Sequence, residues 1–150
     1  MKTAFIIGIG NRHRGDDAAG LRVMDLLKAD FATLEHDGEP ASLIDAMQGH
    51  DRVILVDAVS SGAAAGEIFR LDLQKEGLPG AFTQTSTHSF GIVEAVELAR
   101  ALGKLPPALV FYGIEGKNLA VGDGISPEVQ NATETVAASI RAETQEKKHA

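Results

Sequence analysis

The sequence predicts an α/β fold, a three-layer sandwich in which helices cover both faces of a sheet of about five mostly parallel strands. Apolar runs of strand length alternate along the chain with stretches of helical periodicity. Two central runs, residues 52–57 and 108–113, are apolar at successive positions, which is typical of strands buried on both faces. Only residues 58–65 separate the third run from the fourth. Because parallel neighbours need a longer, helical crossover, the fourth strand is predicted to be antiparallel.

The sequence predicts the bounds of the first two helices and of all five strands. A first helix is predicted from Asp16 to about Lys28, with its apolar side chains toward the sheet, and a short second helix over residues 41–47. The predicted strands are residues 3–8, about 33–37, 52–57, 66–71 and 108–113.

The later helices also have start and stop signals. The third helix follows Thr87 or Ser89 as its cap and ends before Gly103, a residue type that favours a helix stop. The fourth opens at Ser126, a capping residue followed by proline at the first helical position.

Length and composition limit the functions that the chain can have. The 150 residues suit one domain, predicted over residues 1–142, and residues 143–150 lack apolar periodicity and are expected to form a disordered tail. A formal net charge of -7 disfavours nucleic acid or an anionic membrane as the main partner. With no cysteine, any metal must be held by histidine, carboxylate or water. No apolar run is long enough to span a bilayer, and no cleavable signal is recognisable, so we expect a cytoplasmic protein.

Polar side chains gather where the predicted parallel strands end and the next helices begin, which is where open α/β sheets bind ligands. Asp16 and Asp17 start the first helix, Asp57 ends the third strand, His88 starts the third helix and Glu115 follows the fifth strand. One acid suffices to cap the first helix, and Asp16 is the candidate cap, which leaves Asp17 for function. Two carboxylates and an imidazole suit a divalent ion such as Ni, Zn or Mn. A carboxylate pair that shares a proton is the alternative.

Other residue patterns near this edge have alternative interpretations. Glycines in residues 8–10 suggest dinucleotide binding, but His13 stands where the third glycine should be, and acids at the helix start would repel a pyrophosphate. Residues 12–14 form either a solvated loop or a substrate clamp. Three further histidines have no ligand partner at metal spacing and are interpreted as structural or exposed: His36, His50 and His149.

Six short motifs occur in a specific order and spacing. They are GIGN at 8–11, RGDDAAG at 14–20, VILVDA at 53–58, STHSFG at 86–91, YGIE at 112–115 and GISP at 124–127. Together they resemble the hydrogenase maturation proteases, the endopeptidases that trim the C-terminal tail of the [NiFe]-hydrogenase large subunit.

That resemblance implies both an activity and the residues that carry it. It implies cleavage of the precursor large subunit after nickel insertion, with the nickel supplied by the precursor and other divalent ions as alternatives. Asp17, Asp57 and His88 correspond to the family's metal-binding positions, and the family often has glutamate where this chain has Asp17. Asp37, followed by glycine after the second strand, corresponds to a segment implicated in cleavage. The catalytic candidates are therefore Asp17, Asp37 and Asp57.

The candidates for substrate binding are Asn11, Arg12, Arg14 and Glu115. The cleavage chemistry has two possible forms, a metal-polarised carbonyl or water and a carboxylate that acts as general base. Two other functions fit the same residues. One is a non-enzymatic, nickel-dependent chaperone or docking module for hydrogenase assembly, and the other is a carboxylate-dyad hydrolase that needs no metal.

Overall fold

The computed structural model describes residues 4–79, 82, 89–117 and 124–146. The strands of this part of the chain form one sheet in the order β2-β1-β3-β5-β4. Strand β4 is antiparallel to β5, and the other neighbours are parallel. The predicted mixed sheet with one antiparallel strand is therefore confirmed. The strands are β1 (Phe5–Ile9), β2 (Ala32–His36), β3 (Arg52–Val59), β4 (Ile68–Asp72) and β5 (Ala108–Glu115).

The helices also follow the predicted order. A 3₁₀ turn (Gly15–Ala18) leads directly into the first α-helix. The α-helices are α1 (Ala19–Leu27), α2 (Pro40–Met47), α3 (Ser89–Ala101) and α4 (Pro127–Glu146). No helix in the described ranges is both long enough and apolar enough to span a membrane.

The helices lie on both faces of the sheet, as predicted. Along β3, Ile54, Val56 and Ala58 pack in a core with α1 and α4, while the alternate residues pack in a second core with α2 and α3. Ile54 and Leu55 are both fully buried, so the strand is covered on each side. Full burial of one such side chain contributes about 1.5–3 kcal/mol to stability.

The end of the chain differs from the prediction. Helix α4 continues to Glu146, so residues 143–146 belong to the helix and not to a disordered tail. Thr144 is buried, and its hydroxyl donates a hydrogen bond to the carbonyl of Ile140 at 2.9 Å. Residues 147–150, which include His149, lie outside the described residues.

Helix α1 begins in direct contact with the sheet because two glycines have no side chain there. A Cβ on Gly20 would lie 2.2 Å from the carbonyl oxygen of Val56 in β3 and 2.6 Å from that of Ile9 in β1. A Cβ on Gly8 would lie 2.7 Å from the carbonyl oxygen of Gly20. Since real Cβ atoms essentially never approach another atom closer than 3.0 Å, only glycine allows this contact. The 3₁₀ turn before α1 is thereby held at the carboxyl ends of β1 and β3.

The last turns of α4 are attached to the sheet by Glu143. Its carboxylate accepts hydrogen bonds from Arg52 Nη2 at 3.0 Å, from Arg70 Nη2 at 3.0 Å and from the Tyr112 hydroxyl. Burial raises the pKa of Glu143, but the hydrogen bonds from Arg70, Tyr112 and Arg52 outweigh it and hold that pKa below its usual value. Burial and the neighbouring Glu143 raise the pKa of Tyr112 to about 12. This contact explains why the helix extends past residue 142.

We expect Glu143→Gln to destabilise the protein by about 1–3 kcal/mol at pH 7, because it removes charge-assisted hydrogen bonds. The folded state lowers the pKa of Glu143, so its contribution is present above the unfolded value, about 4.3, and is lost as pH falls through the folded value. Urea unfolding of both proteins at pH 7 and at pH 3 measures the difference. A gap between the variant and the parent that stays constant with pH would contradict this role.

Candidate active site

Asp17 and Asp57 lie at the same edge of the sheet. Asp57 is fully buried in β3 and directly follows Val56, the residue whose carbonyl contacts the start of α1. Asp17 belongs to the 3₁₀ turn and is 5% exposed. A Cβ on Gly10, just after β1, would lie 2.1 Å from the carbonyl oxygen of Asp17, so the turn folds closely over the end of that strand. Since β1 and β3 are neighbours, the structure brings both predicted carboxylates to adjacent strand ends.

The sequence predicts Asp16 as the cap of the first helix, but the N-cap residues of the 3₁₀ turn and of α1 are Arg14 and Ala18, and neither makes a side-chain capping hydrogen bond. The Asp16 carboxylate is fully buried and accepts hydrogen bonds from the backbone N–H groups of Lys117 and Ser126, both at 2.7 Å. The Ser126 hydroxyl also donates to it, at 2.9 Å. Asp16 therefore connects the segment after β5 and the start of α4 to the 3₁₀ turn. The sequence did not predict this role, because the partners are far apart along the chain.

Asp37 lies in an exposed turn between β2 and α2. Its side chain is 83% exposed, and Oδ1 accepts a hydrogen bond from the backbone N–H of Glu39 at 3.0 Å. The next residue, Gly38, is buried and has a φ of 90°, a conformation that favours glycine. A Cβ on Gly91 would lie 2.2 Å from the Gly38 carbonyl oxygen, so the turn packs against the first turn of α3. Asp37 is thus presented to solvent beside the start of that helix.

An open groove runs along β2 to this edge of the sheet. Its volume is about 540 Å³. Backbone geometry links it to the Asp17 turn, because Gly10 donates a hydrogen bond to the His36 carbonyl at 3.2 Å. Gly10 therefore lines the groove and also lies against the carbonyl of Asp17, so one end of the groove is near the Asp17 turn. It is lined by Gly10, Leu34, Glu35, His36, Asp37, Ser42, Asp45 and Ala46.

The polar residues of the loop after β1 bind other parts of the protein. Asn11 Oδ1 accepts a hydrogen bond from the backbone N–H two residues later, at 2.8 Å. Arg12 binds Asp25 of α1, with Nη1 2.9 Å from Oδ2, and Glu35 of β2, with Nε 3.0 Å from Oε1. These hydrogen bonds raise the pKa of Arg12, although its side chain is 41% exposed. Arg14 is half-buried. The predicted contacts of Asn11, Arg12 and Arg14 with a substrate stay predictions.

Glu115 is held inside the fold at the end of β5. It is 3% exposed, and its carboxylate accepts hydrogen bonds from the Ser61 hydroxyl at 2.6 Å and the Ser61 N–H at 3.0 and 3.1 Å. Its backbone carbonyl accepts from Gly66 N–H at 2.8 Å. Glu115 therefore fixes the loop between β3 and β4. These contacts are structural, and its predicted contact with a substrate stays a prediction.

The predicted third ligand, His88, lies outside the described residues. Within residues 4–79, 82, 89–117 and 124–146, no three histidine, aspartate or glutamate side chains come together as metal ligands. Asp17 and Asp57 supply carboxylate oxygens of the kind that a divalent ion accepts. A complete ion site at this edge would need a third donor from elsewhere, such as His88 or another molecule.

His36, which the sequence analysis interprets as structural or exposed, lines the groove. The side chain of His36 is only 9% exposed, and its Nδ1 accepts the backbone N–H of Gly38 at 2.8 Å. The local sequence signal is a histidine two residues before a glycine, whose N–H is brought to the ring by the turn that follows β2. His50, by contrast, stacks on Phe5 with ring centroids 4.0 Å apart.

Comparison with known proteins identifies the family of the chain. A model of the hydrogenase maturation protease family matches residues 27–143. The Hydrogenase 2 maturation protease of Escherichia coli (strain K12) is 28% identical over 148 residues, which span 91% of this chain and 90% of that protein.

Solved structures show the same architecture. The hydrogenase maturating endopeptidase HybD from E. coli superposes with a TM-score of 0.80 at 26% identity, over 98% of this chain and 94% of that one. The [NiFe] hydrogenase maturation protease HycI from Thermococcus kodakarensis KOD1 gives a TM-score of 0.69 at 27% identity, over 93% and 90% of the two chains. The resemblance predicted from the motifs is confirmed. The chain belongs to the hydrogenase maturation protease family and is an endopeptidase.

Proposed function

We propose that this protein removes the C-terminal extension of a [NiFe]-hydrogenase large-subunit precursor in the cytoplasm, after nickel has been inserted. Nickel held by the precursor is the recognition element, and Asp17, Asp57 and His88 contact it. The two solved structures described above are a hydrogenase maturating endopeptidase and a [NiFe] hydrogenase maturation protease, which supports this substrate class.

The observation that carries the proposal is the placement of carboxylates around one sheet edge. Asp17 and Asp57 are buried at adjacent strand ends, and the exposed Asp37 turn lies at the same edge beside an open groove. An ion at the buried pair and a peptide in the groove would therefore meet at one place.

The proposed donor set suits an ion that another protein already holds. Two carboxylates and one imidazole, without a thiolate, do not complete the coordination of a nickel ion, so the precursor keeps its own ligands. The protein would thus test for nickel without extracting it.

Asp37 is suited to act on the peptide, since its exposed carboxylate reaches solvent and the groove. In the proposed step it takes a proton from water as the water oxygen bonds to the scissile carbonyl carbon. The C–N bond then breaks, and the proton passes to the leaving amine. The nickel ion, when bound, supplies positive charge that polarises the carbonyl.

Substitution of the proposed nickel contacts should abolish processing without unfolding the protein. We expect Asp17→Asn, Asp57→Asn and His88→Ala each to lower cleavage of nickel-loaded precursor by about 100-fold or more, measured as the mass shift of the large subunit. Asp51→Asn is the control, because Asp51 is an exposed acid just before β3, at the opposite edge of the sheet. Parental cleavage rates in all three variants would overturn the assignment, and thermal unfolding identifies any variant that fails to fold.

The source of the nickel can be tested directly. We expect metal-stripped enzyme to cleave nickel-loaded precursor and to leave nickel-free precursor intact, because the incomplete donor set binds free nickel weakly. Mass spectrometry of both precursors gives the answer. Efficient cleavage of the nickel-free precursor would contradict recognition through nickel while leaving the peptidase assignment in place. Binding of loaded precursor without cleavage would favour the docking-module alternative.

Asp37→Asn should lower kcat by about 10² to 10⁴-fold, the usual range for loss of a general base. The melting temperature should stay unchanged, because the side chain is 83% exposed and outside the core. Single-turnover cleavage of nickel-loaded precursor separates kcat from binding, with Asp51→Asn again as the charge control. An unchanged kcat would exclude Asp37 as the base.

A further inference from the structure

The ring of His36 is held at both nitrogens in the wall of the groove. Nδ1 accepts the backbone N–H of Gly38 at 2.8 Å, and Nε2 lies 3.0 Å from Ser42 Oγ. Because a backbone N–H only donates, Nδ1 must carry no proton. The proton of the neutral ring therefore lies on Nε2, which donates to the Ser42 hydroxyl.

The N–H group that His36 Nδ1 accepts belongs to Gly38, in the turn that carries Asp37. Gly38 has a φ of 90°, and its carbonyl lies against Gly91 in the first turn of α3. Asp37 Oδ1 accepts a hydrogen bond from Glu39 N–H within the turn at 3.0 Å, and Asp37 follows His36, the last residue of β2 that pairs with β1. The His36 hydrogen bond is thus a contact that joins the end of β2 to this turn from outside it.

We infer that His36 is a positioning residue for cleavage: its neutral, Nε2-protonated ring holds the Gly38 N–H and so fixes the direction in which Asp37 faces the groove. The inference rests on the proposed function, in which Asp37 acts on the peptide. Small displacements of a reacting group are costly, since a shift of about 1 Å can lower a rate about 100-fold.

Protonation of Nδ1 would undo this arrangement. A protonated Nδ1 faces the Gly38 N–H with a second donor, so that hydrogen bond is lost. Asp37 Oδ1 lies 3.7 Å from Nδ1 and would then be attracted to the ring, away from the groove. The other charged groups near the ring are Glu35 on β2 and Asp45 on α2, which line the same groove, and Glu39, whose carboxylate accepts from Ser42 N–H at the start of α2.

Two substitutions distinguish the contribution of the Nδ1 acceptor from that of the rest of the ring. In His36→Asn, the side-chain oxygen can accept the N–H two residues later, as asparagine does in Asx turns. His36→Leu keeps a similar apolar volume and has no acceptor. We expect kcat/KM for nickel-loaded precursor to fall about 10- to 100-fold in His36→Leu and to stay within about threefold of the parent in His36→Asn. His50→Leu is the matched control, since it removes a histidine that stacks on Phe5 away from the groove.

The pH profile provides a readout that a merely structural role would not change. The ratio of the parent's kcat/KM to that of His36→Asn should fall as pH is lowered, because only the parent loses its acceptor on protonation. Carboxylates common to both proteins cancel in this ratio. Superimposable profiles, or equal losses in the Asn and Leu variants, would overturn the inference.

Nuclear magnetic resonance tests the hydrogen bond without any substrate. Imidazole ¹H–¹⁵N correlation should show the proton of neutral His36 on Nε2, and the Gly38 amide should exchange faster in His36→Leu than in the parent. A proton on Nδ1 would overturn the inference even if His36→Leu fails to fold. Parent protein that leaves loaded precursor uncut would overturn the proposed function as well, whereas parent-like cleavage by folded His36→Leu would overturn only the role of His36.

Discussion

The site depends on a contact between backbones at the start of α1. The first turn of this helix touches the ends of β1 and β3, and a Cβ on Gly20 would lie 2.2 Å from the Val56 carbonyl oxygen. Asp17 comes three residues before this glycine, and Asp57 comes directly after Val56. Because atoms cannot overlap, any side chain at Gly20 would push the helix outward and carry Asp17 away from Asp57. The glycine therefore determines whether two buried carboxylates share one sheet edge.

The two adjacent acids of the 3₁₀ turn have different roles, since Asp16 makes structural hydrogen bonds and Asp17 is a proposed nickel contact. Asp16 accepts hydrogen bonds from Lys117 and Ser126, and bonds of this charge-assisted kind contribute about 1.5–3 kcal/mol. They hold the start of α4 against the turn that carries Asp17. At the far end of α4, Glu143 is bound to the sheet by arginine and tyrosine side chains. Helix α4 is thus attached at both ends, and its first attachment supports the site.

Two backbone segments also pack closely beside Asp37, at the same edge of the sheet. Gly38 and Gly91 meet where the Asp37 turn packs against α3, much as Gly20 meets the strand ends. The candidate carboxylates at this edge differ in environment, since Asp57 is fully buried and Asp37 is largely exposed. A buried acid suits contact with a cation, and an exposed acid suits proton transfer to water and peptide. This difference is the physical basis for the separate roles that we propose.

The sequence by itself determined the order of strands and helices along the chain, the antiparallel β4 and the family. These follow from local periodicity, the length of one connection and the order of short motifs. It also placed Asp17 and Asp57 at helix and strand ends. Only the tertiary structure decided that Asp16 binds Ser126, that Glu115 binds Ser61 and that α4 continues past residue 142. Each of these depends on a contact between side chains and partners distant in the chain; Asp16 and Ser126, for example, are 110 residues apart. Such pairs leave no periodic signal, because the folded sheet, and not the local sequence, brings them together.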